Sequence, residues 1–134
     1  MNHRVLVIDD EPSVRSALER TLRHLGYDVL SAGGPDSAYE ILAHDRFDAI
    51  LLDIRMPFVS GDTLFLAIIR RWPELRDRIV LMSGDPENAS VGWSQELKQR
   101  PFLSKPFTFD SLTRAIVSVL PGAAARPRIS NGPA

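Results

Sequence analysis

Four short apolar runs in this sequence each stop on a polar residue, and that repeated pattern narrows the fold more than any other feature. Val5-Leu6-Val7-Ile8 stops at Asp9, Ala49–Leu52 at Asp53, Ile79–Met82 at Ser83, and Phe102-Leu103 at Ser104-Lys105. Val29-Leu30 before Ser31 is a weaker fifth. Runs that are continuous rather than alternating suit strands covered on both faces, as in parallel sheets. The intervening segments have helical spacing. Val14, Leu18, Leu22 and Leu25 fall on one face, Pro12 suits a first helical position and Gly26 a stop, so a helix is predicted over 12–25. Ala38, Ile41 and Leu42 mark a second helix after Pro35-Asp36. Leu64 to Trp72 marks a third, which Ser60 could cap and Pro73 must end. Residues 87–99 predict only a short or irregular helix, because Asn88, Ser90, Gly92 and Ser94 are poor helix formers. Leu112, Ile116, Val119 and Leu120 mark a last one, opened near Asp110 and closed before Pro121-Gly122. Strand and helix alternating five times predict an α/β, doubly wound, five-stranded parallel sheet with helices on both faces.

A chain of 134 residues has room for one such domain. Residues 1–120 are expected to form it, and 121–134, rich in Pro and Gly without apolar periodicity, to be a tail or linker stub. Sixteen basic residues nearly balance seventeen acidic ones, which gives no bulk electrostatic reason to bind nucleic acid or a membrane surface. The tail holds two Arg and no acid, so residues 1–120 are more acidic than the whole, at a net −3. No cysteine is present, which removes disulfides, thiolate metal sites and a cysteine nucleophile. The longest apolar run, Leu64–Ile69, has six residues, far short of the ~20 that span a bilayer. A cytoplasmic location is expected, and nothing after Leu120 predicts a helix-turn-helix.

In an open parallel sheet the carboxyl ends of the strands share one edge, where ligands bind. Asp9, Asp10, Asp53, Ser83 and Lys105 all fall there. Each has a bland reading by itself: Asp9-Asp10 as a helix cap, Asp53 and Ser83-Gly84 as turn residues, Lys105 as a solvated charge. Chance would then have to place all five at strand ends. Two carboxylates about 4 Å apart repel by about 4 kcal/mol at an effective dielectric of about 20, so such a cluster must protonate or hold a cation. Oxygen donors alone suit Mg²⁺, which keeps several waters and shares its shell with phosphoryl groups, better than zinc. Lys is used only twice against fourteen Arg, yet one stands here, where a compact charge suits an anionic oxygen. Ser83 can add a hydroxyl hydrogen bond to the same anion.

These residues lie in Val7-Ile8-Asp9-Asp10-Glu11-Pro12, Leu51-Leu52-Asp53-Ile54-Arg55-Met56-Pro57 with Gly61 beyond, Leu81-Met82-Ser83-Gly84 and Phe102-Leu103-Ser104-Lys105-Pro106-Phe107. In order and spacing the set resembles the receiver domains of two-component response regulators, over residues 4–120. The resemblance implies a flavodoxin-like sheet of strand order 2-1-3-4-5. It makes Asp53 the phosphoacceptor, and Asp9 and Asp10 the acidic pair that holds Mg²⁺ with Asp53 and the backbone carbonyl of Arg55. It makes Ser83 and Lys105 the phosphate-binding pair, and Phe102 the aromatic that turns inward with Ser83 on phosphorylation. It implies a histidine kinase or histidine phosphotransfer domain as phosphodonor, and a face of helix 4, strand 5 and helix 5 as output. That output is a downstream protein, a covalently linked kinase or a second phosphorylated copy. Such a domain catalyses its own phosphorylation and slow dephosphorylation without turning over an external substrate. Two departures stand out. Arg55 and Asp85 could bridge across the phosphoryl group, restrict the hydrolytic water and lengthen the phosphorylated lifetime. Gln99-Arg100-Pro101 stands before the last strand where many receivers have Gly-Ala; together with Ser83-Gly84-Asp85 and Leu103-Ser104-Lys105-Pro106-Phe107 it is similar to receivers of hybrid sensor histidine kinases.

Two other classes compete. An Mg²⁺-dependent aspartyl phosphohydrolase would want an Asp-x-Asp on the first strand and a large cap, and this chain has adjacent aspartates and no spare length. A receiver that only binds protein, unphosphorylated, would not need the full acidic set. Trp93 reads as half-buried packing rather than a partner anchor, and His3, His24 and His44 as surface residues.

Overall fold

A computed structural model describes residues 2–56, 59–84 and 95–122. Five strands form one parallel sheet: β1 (Arg4–Ile8), β2 (Asp28–Ala32), β3 (Ala49–Asp53), β4 (Ile79–Ser83) and β5 (Phe102–Ser104). Their spatial order is 2-1-3-4-5, the flavodoxin-like arrangement. Registers such as Val7↔Leu51, Leu52↔Leu81 and Ser83↔Ser104 align the polar strand ends along one edge. Between the strands run α1 (Pro12–His24), α2 (Pro35–His44), α3 (Gly61–Arg71) and the short α4 (Gln95–Lys98), and α5 (Phe109–Val119) follows the last strand. Helices pack on both faces of the sheet.

The alternation of side chains along each strand divides the core in two. Leu6, Ile8, Ile50, Leu52, Ile79 and Leu81 pack with Ala38 and Leu42 of α2, Leu64, Phe65 and Ile68 of α3, and Leu97 of α4. Val5, Val7, Ala49, Leu51, Val80 and Met82 pack with Leu18 and Leu22 of α1 and Leu112, Ile116 and Val119 of α5. Both faces of β1, β3 and β4 are therefore dry, which is why their sequences read as unbroken apolar runs.

Several local expectations shift. The third helix opens at Gly61, three residues before its first apolar position, and closes at Arg71, leaving Trp72 just beyond; the capping role expected of Ser60 lies outside the described side chains. The last helix opens one turn-residue earlier than Asp110. Thr108 caps it, its Oγ1 accepting the Ser111 amide at 3.0 Å while the Ser111 hydroxyl oxygen accepts the Thr108 amide at 3.0 Å. Pro101 precedes β5 and still joins the sheet through its carbonyl, which accepts the Leu81 amide at 2.9 Å. A two-residue antiparallel ribbon, Arg55–Met56 with Val59–Ser60, follows β3 and was not foreseen. His24 and His44 are exposed as expected, whereas His3 is half-buried. Trp93, Asp85 and residues 123–134 lie outside the described residues, and with them most of the predicted 87–99 helix. Among the described residues no helix is long and apolar enough to cross a membrane.

Candidate functional site

Three polar residues are buried among the described residues, Asp9, Asp53 and Ser83, and all three stand at the carboxyl edge of the sheet. Asp9 is the residue after β1, Asp53 ends β3 and Ser83 ends β4. Lys105 follows β5, and its amide donates to the Ser83 carbonyl at 2.8 Å, extending the strand pairing by one residue. That bond carries the lysine across the edge. Its Nζ donates to Asp9 Oδ2 at 2.8 Å and to Asp53 Oδ2 at 3.4 Å.

The remaining oxygens of the two carboxylates are held by the chain itself. Asp9 Oδ1 accepts the Glu11 amide at 3.0 Å, and Asp53 Oδ1 accepts the Arg55 amide at 2.9 Å. Each aspartate thus closes an Asx turn with one oxygen and faces the lysine with the other. Asp10 is half-buried beside them, and one carboxylate oxygen from each of Asp9, Asp10 and Asp53 lies within 4.8 Å of the others. Arg55 is exposed at the rim. Phe102, at the start of β5, is half-buried against the core on the α2–α3 side.

The electrostatics follow from that crowding. Burial pushes the Asp53 carboxyl above the ordinary carboxylate range; the Arg55 amide opposes the shift, the neighbouring Asp9 charge adds to it, and Lys105 offsets part of it. Burial would lower the Lys105 ammonium, but its hydrogen bond to Asp9 and the charges of Asp53 and Asp9 outweigh that and raise it. Lys105 is therefore firmly a cation. One lysine does not neutralise three carboxylates, and the donor set, all oxygen and partly open at Asp10, has the chemistry of a site for a hard divalent cation. An acidic cluster capable of coordinating a metal ion stands at the place where the strand order reverses between β1 and β3.

Residues 5–117 match the sequence profile of the response regulator receiver domain. The chain belongs to that family. This receiver domain is 28% identical over 123 residues to sporulation initiation phosphotransferase F of Bacillus subtilis, covering 90% of this chain and 96% of that protein. It is 34% identical over 119 residues to the response regulator PilR of Pseudomonas aeruginosa, covering 87% of this chain but only 26% of PilR. It also spans 51% of the response regulator MprA of Mycobacterium ulcerans, at 32% identity over 90% of this chain. Among solved structures it superposes on the response regulator TrrA of Thermotoga maritima in complex with Mg²⁺-BeF, with a TM-score of 0.70 and 27% identity over 90% of this chain and 100% of that one. The receiver domain of the sensor histidine kinase PA1611 of Pseudomonas aeruginosa, with a magnesium ion coordinated in its active-site cleft, gives 0.73 and 26% over 89% and 98%.

Asp9, Asp10, Asp53, Ser83 and Lys105, which the sequence singled out, stand together at this edge among the described residues. Sequence reasoning missed Arg15, whose guanidinium Nη1 donates to the Asp9 main-chain carbonyl at 2.8 Å. A bond to a main-chain oxygen leaves no residue-type signature. The one available signal was a cation one turn into the helix that follows the acidic pair.

Proposed function

We propose that this receiver domain is the phosphoacceptor of a two-component phosphorelay, and that Asp53 carries the phosphoryl group. The observation behind this reading is the lysine bridge: Asp53 Oδ1 is occupied by the Arg55 amide, while Oδ2 is only loosely held by Lys105 and faces the edge. Asp53 Oδ2 attacks the phosphorus of a phosphohistidine on a histidine kinase or phosphotransfer domain, the P–N bond breaks, and the imidazole leaves to take up a proton. Lys105 moves from the carboxylate to the equatorial phosphoryl oxygens, the position its charge and reach suit. Mg²⁺, held by the carboxylates of Asp9, Asp10 and Asp53 and by the Arg55 carbonyl, supplies the remaining charge neutralisation when bound; the three carboxylates fit it, and TrrA and the PA1611 receiver carry it. The Ser83 hydroxyl donates to the acquired phosphoryl group and leaves room that the Phe102 ring enters. A local charge change thereby biases the packing of α4, β5 and α5, the face that meets the downstream protein, linked kinase or second copy. The functional unit is residues 1–120, working in the cytoplasm.

Incubation with Mg²⁺ and a small phosphodonor, followed by intact mass, tests the reading. One added phosphoryl group supports it. Sustained release of phosphate from varied phosphomonoesters would indicate a hydrolase, and no modification by any donor or cognate kinase a binding module.

Two further results follow from this reading. An apolar depression of about 470 Å³ lies beside Lys105 between α1 and the loop after β5, lined by Val14, Ala17, Leu18, Pro106 and Phe107. A phosphohistidine-bearing partner must deliver its group at this edge, and this surface is where its own apolar face packs. Ala17→Asp is expected to slow transfer from the phosphoprotein by at least about tenfold, the loss of one well-placed interface contact, and to leave phosphorylation by a small donor unchanged. Arg55, exposed at the rim of the site, screens the phosphoryl group from water. Arg55→Ala is expected to speed dephosphorylation by about two- to fivefold, the worth of an exposed ion pair, read as loss of phosphorylated mass with time; an unchanged rate rejects the role.

A further inference from the structure

Arg15 lies one turn into α1 and is half-buried. Besides donating to the Asp9 carbonyl at 2.8 Å, its guanidinium rests against Gly33, the residue after β2. A Cβ built on Gly33 would stand 3.0 Å from Arg15 Nη1 and 3.4 Å from Cζ. Gly33 is not among the residues in the left-handed region, so its backbone does not call for glycine. The guanidinium fills the space an alanine methyl would take, and its end would have to give by a few tenths of an ångström to admit one.

Asp9 is consequently held at both ends of its main chain. Its amide donates to the Ala32 carbonyl at 3.1 Å, in register with the β1–β2 pairing, and its carbonyl accepts from Arg15. That carbonyl belongs to the planar peptide unit leading into Asp10, so holding the oxygen holds the plane from which the Asp10 side chain departs. Asp9 and Asp53 have other anchors, namely the Glu11 and Arg55 amides and Lys105. Arg15 is the anchor for the peptide that aims Asp10.

We propose that Arg15, seated in the space left by Gly33, is a positioning residue for the divalent-cation site, setting the Asp9–Asp10 peptide so that the Asp10 carboxylate meets those of Asp9 and Asp53. The inference rests on the reading of that cluster as an Mg²⁺ site. Charge and positioning make opposite predictions for Arg15→Met. Deleting a cation beside an acidic site tightens Mg²⁺ if charge alone matters; losing the anchor weakens it.

The test titrates Mg²⁺ alone into the full chain and follows the backbone amides of residues 9–11, with thermal melting to confirm that each variant is folded. Arg15→Met is expected to weaken Mg²⁺ binding by about three- to tenfold, the worth of one hydrogen bond. Arg15→Lys, which keeps a donor and the charge, is expected to recover most of it. Gly33→Ala leaves the charge in place and displaces only the end of a flexible side chain, so it is expected to weaken Mg²⁺ binding in the same direction with little change in melting. Arg15→Met binding Mg²⁺ as tightly as wild type or more so overturns the inference, as does Gly33→Ala with unchanged affinity. Wild type that binds no Mg²⁺ overturns the underlying reading and this inference together.

Discussion

Asp53→Ala is expected to gain no phosphoryl group under conditions in which the wild-type chain gains one. Of the two buried carboxylates, Asp53 has the more loosely held oxygen. Asp9 is fully buried and commits one oxygen to the Glu11 amide and the other to Lys105 at 2.8 Å. Asp53 holds only one oxygen firmly, through the Arg55 amide, and its other oxygen is 3.4 Å from Lys105. The same burial that orients Asp53 raises its carboxyl above the ordinary range. Attack requires the carboxylate, the form that burial disfavours and that bound Mg²⁺ would favour. The sign for stability runs the other way. A carboxyl raised in the folded state favours folding most below its unfolded value, and that contribution is lost as pH rises through the folded value. At neutral pH the Asp53 charge therefore opposes folding, and Asp53→Asn, which keeps the shape and removes the charge, should melt higher than wild type while accepting no phosphate. Intact mass and melting curves with and without Mg²⁺ check both halves; a phosphorylated Asp53→Ala chain would place the acceptor elsewhere.

The central strands were legible because they are covered on both sides, so that each apolar run ends where the dry layer ends. Asp9, Asp53 and Ser83 stood out for the same reason, as the first polar side chains past that boundary. α1 and α5 were legible from the stripe each turns to the sheet, Leu18 and Leu22 in one and Leu112, Ile116 and Val119 in the other. What escaped notice depends on contacts between residues distant in sequence and indifferent to side-chain type. Arg15 acts on a main-chain oxygen, Gly33 acts by lacking an atom, and Asp48 fixes the opposite end of β1 by accepting the Arg4 amide at 2.8 Å. None of these alters hydrophobic periodicity. Thr108 was overlooked in favour of Asp110, although both are cap-forming residues, because the apolar stripe begins at Leu112 and gives no sign of where the first turn starts. Lys105 lies between these cases: its place after an apolar run was visible, but its grip on Asp9, 96 residues away, emerges only when β5 docks beside β4.

Lys105→Met should show the second large effect, and it separates the resting role of the lysine from its role in transfer. At rest its ammonium is the one cation donating to both Asp9 and Asp53 among the described residues. Removing one partner from a buried charge cluster leaves the others uncompensated, and full burial would make that cost about 3–5 kcal/mol. The Lys105 side chain keeps 19% of its exposure, so water screens part of this and a smaller loss of stability is expected at neutral pH. The ammonium is raised above its ordinary value by Asp9 and Asp53; its contribution is fully present below the unfolded value and disappears as pH climbs through the folded one. The difference in melting between wild type and Lys105→Met should accordingly be flat through neutral pH and shrink only in the alkaline range, above about pH 10. With the lysine gone, added Mg²⁺ should restore more stability to the variant than it adds to wild type, since the carboxylates then have no other cation. Phosphorylation should not recover with it. In the proposed transfer the lysine neutralises charge on the phosphoryl oxygens, and the loss of one such group costs about 10²–10³ in rate. A variant that Mg²⁺ returns to wild-type melting but that still accepts phosphate hundreds of times more slowly would assign Lys105 to the transfer itself. Recovery of both by Mg²⁺ would reduce it to a counter-ion.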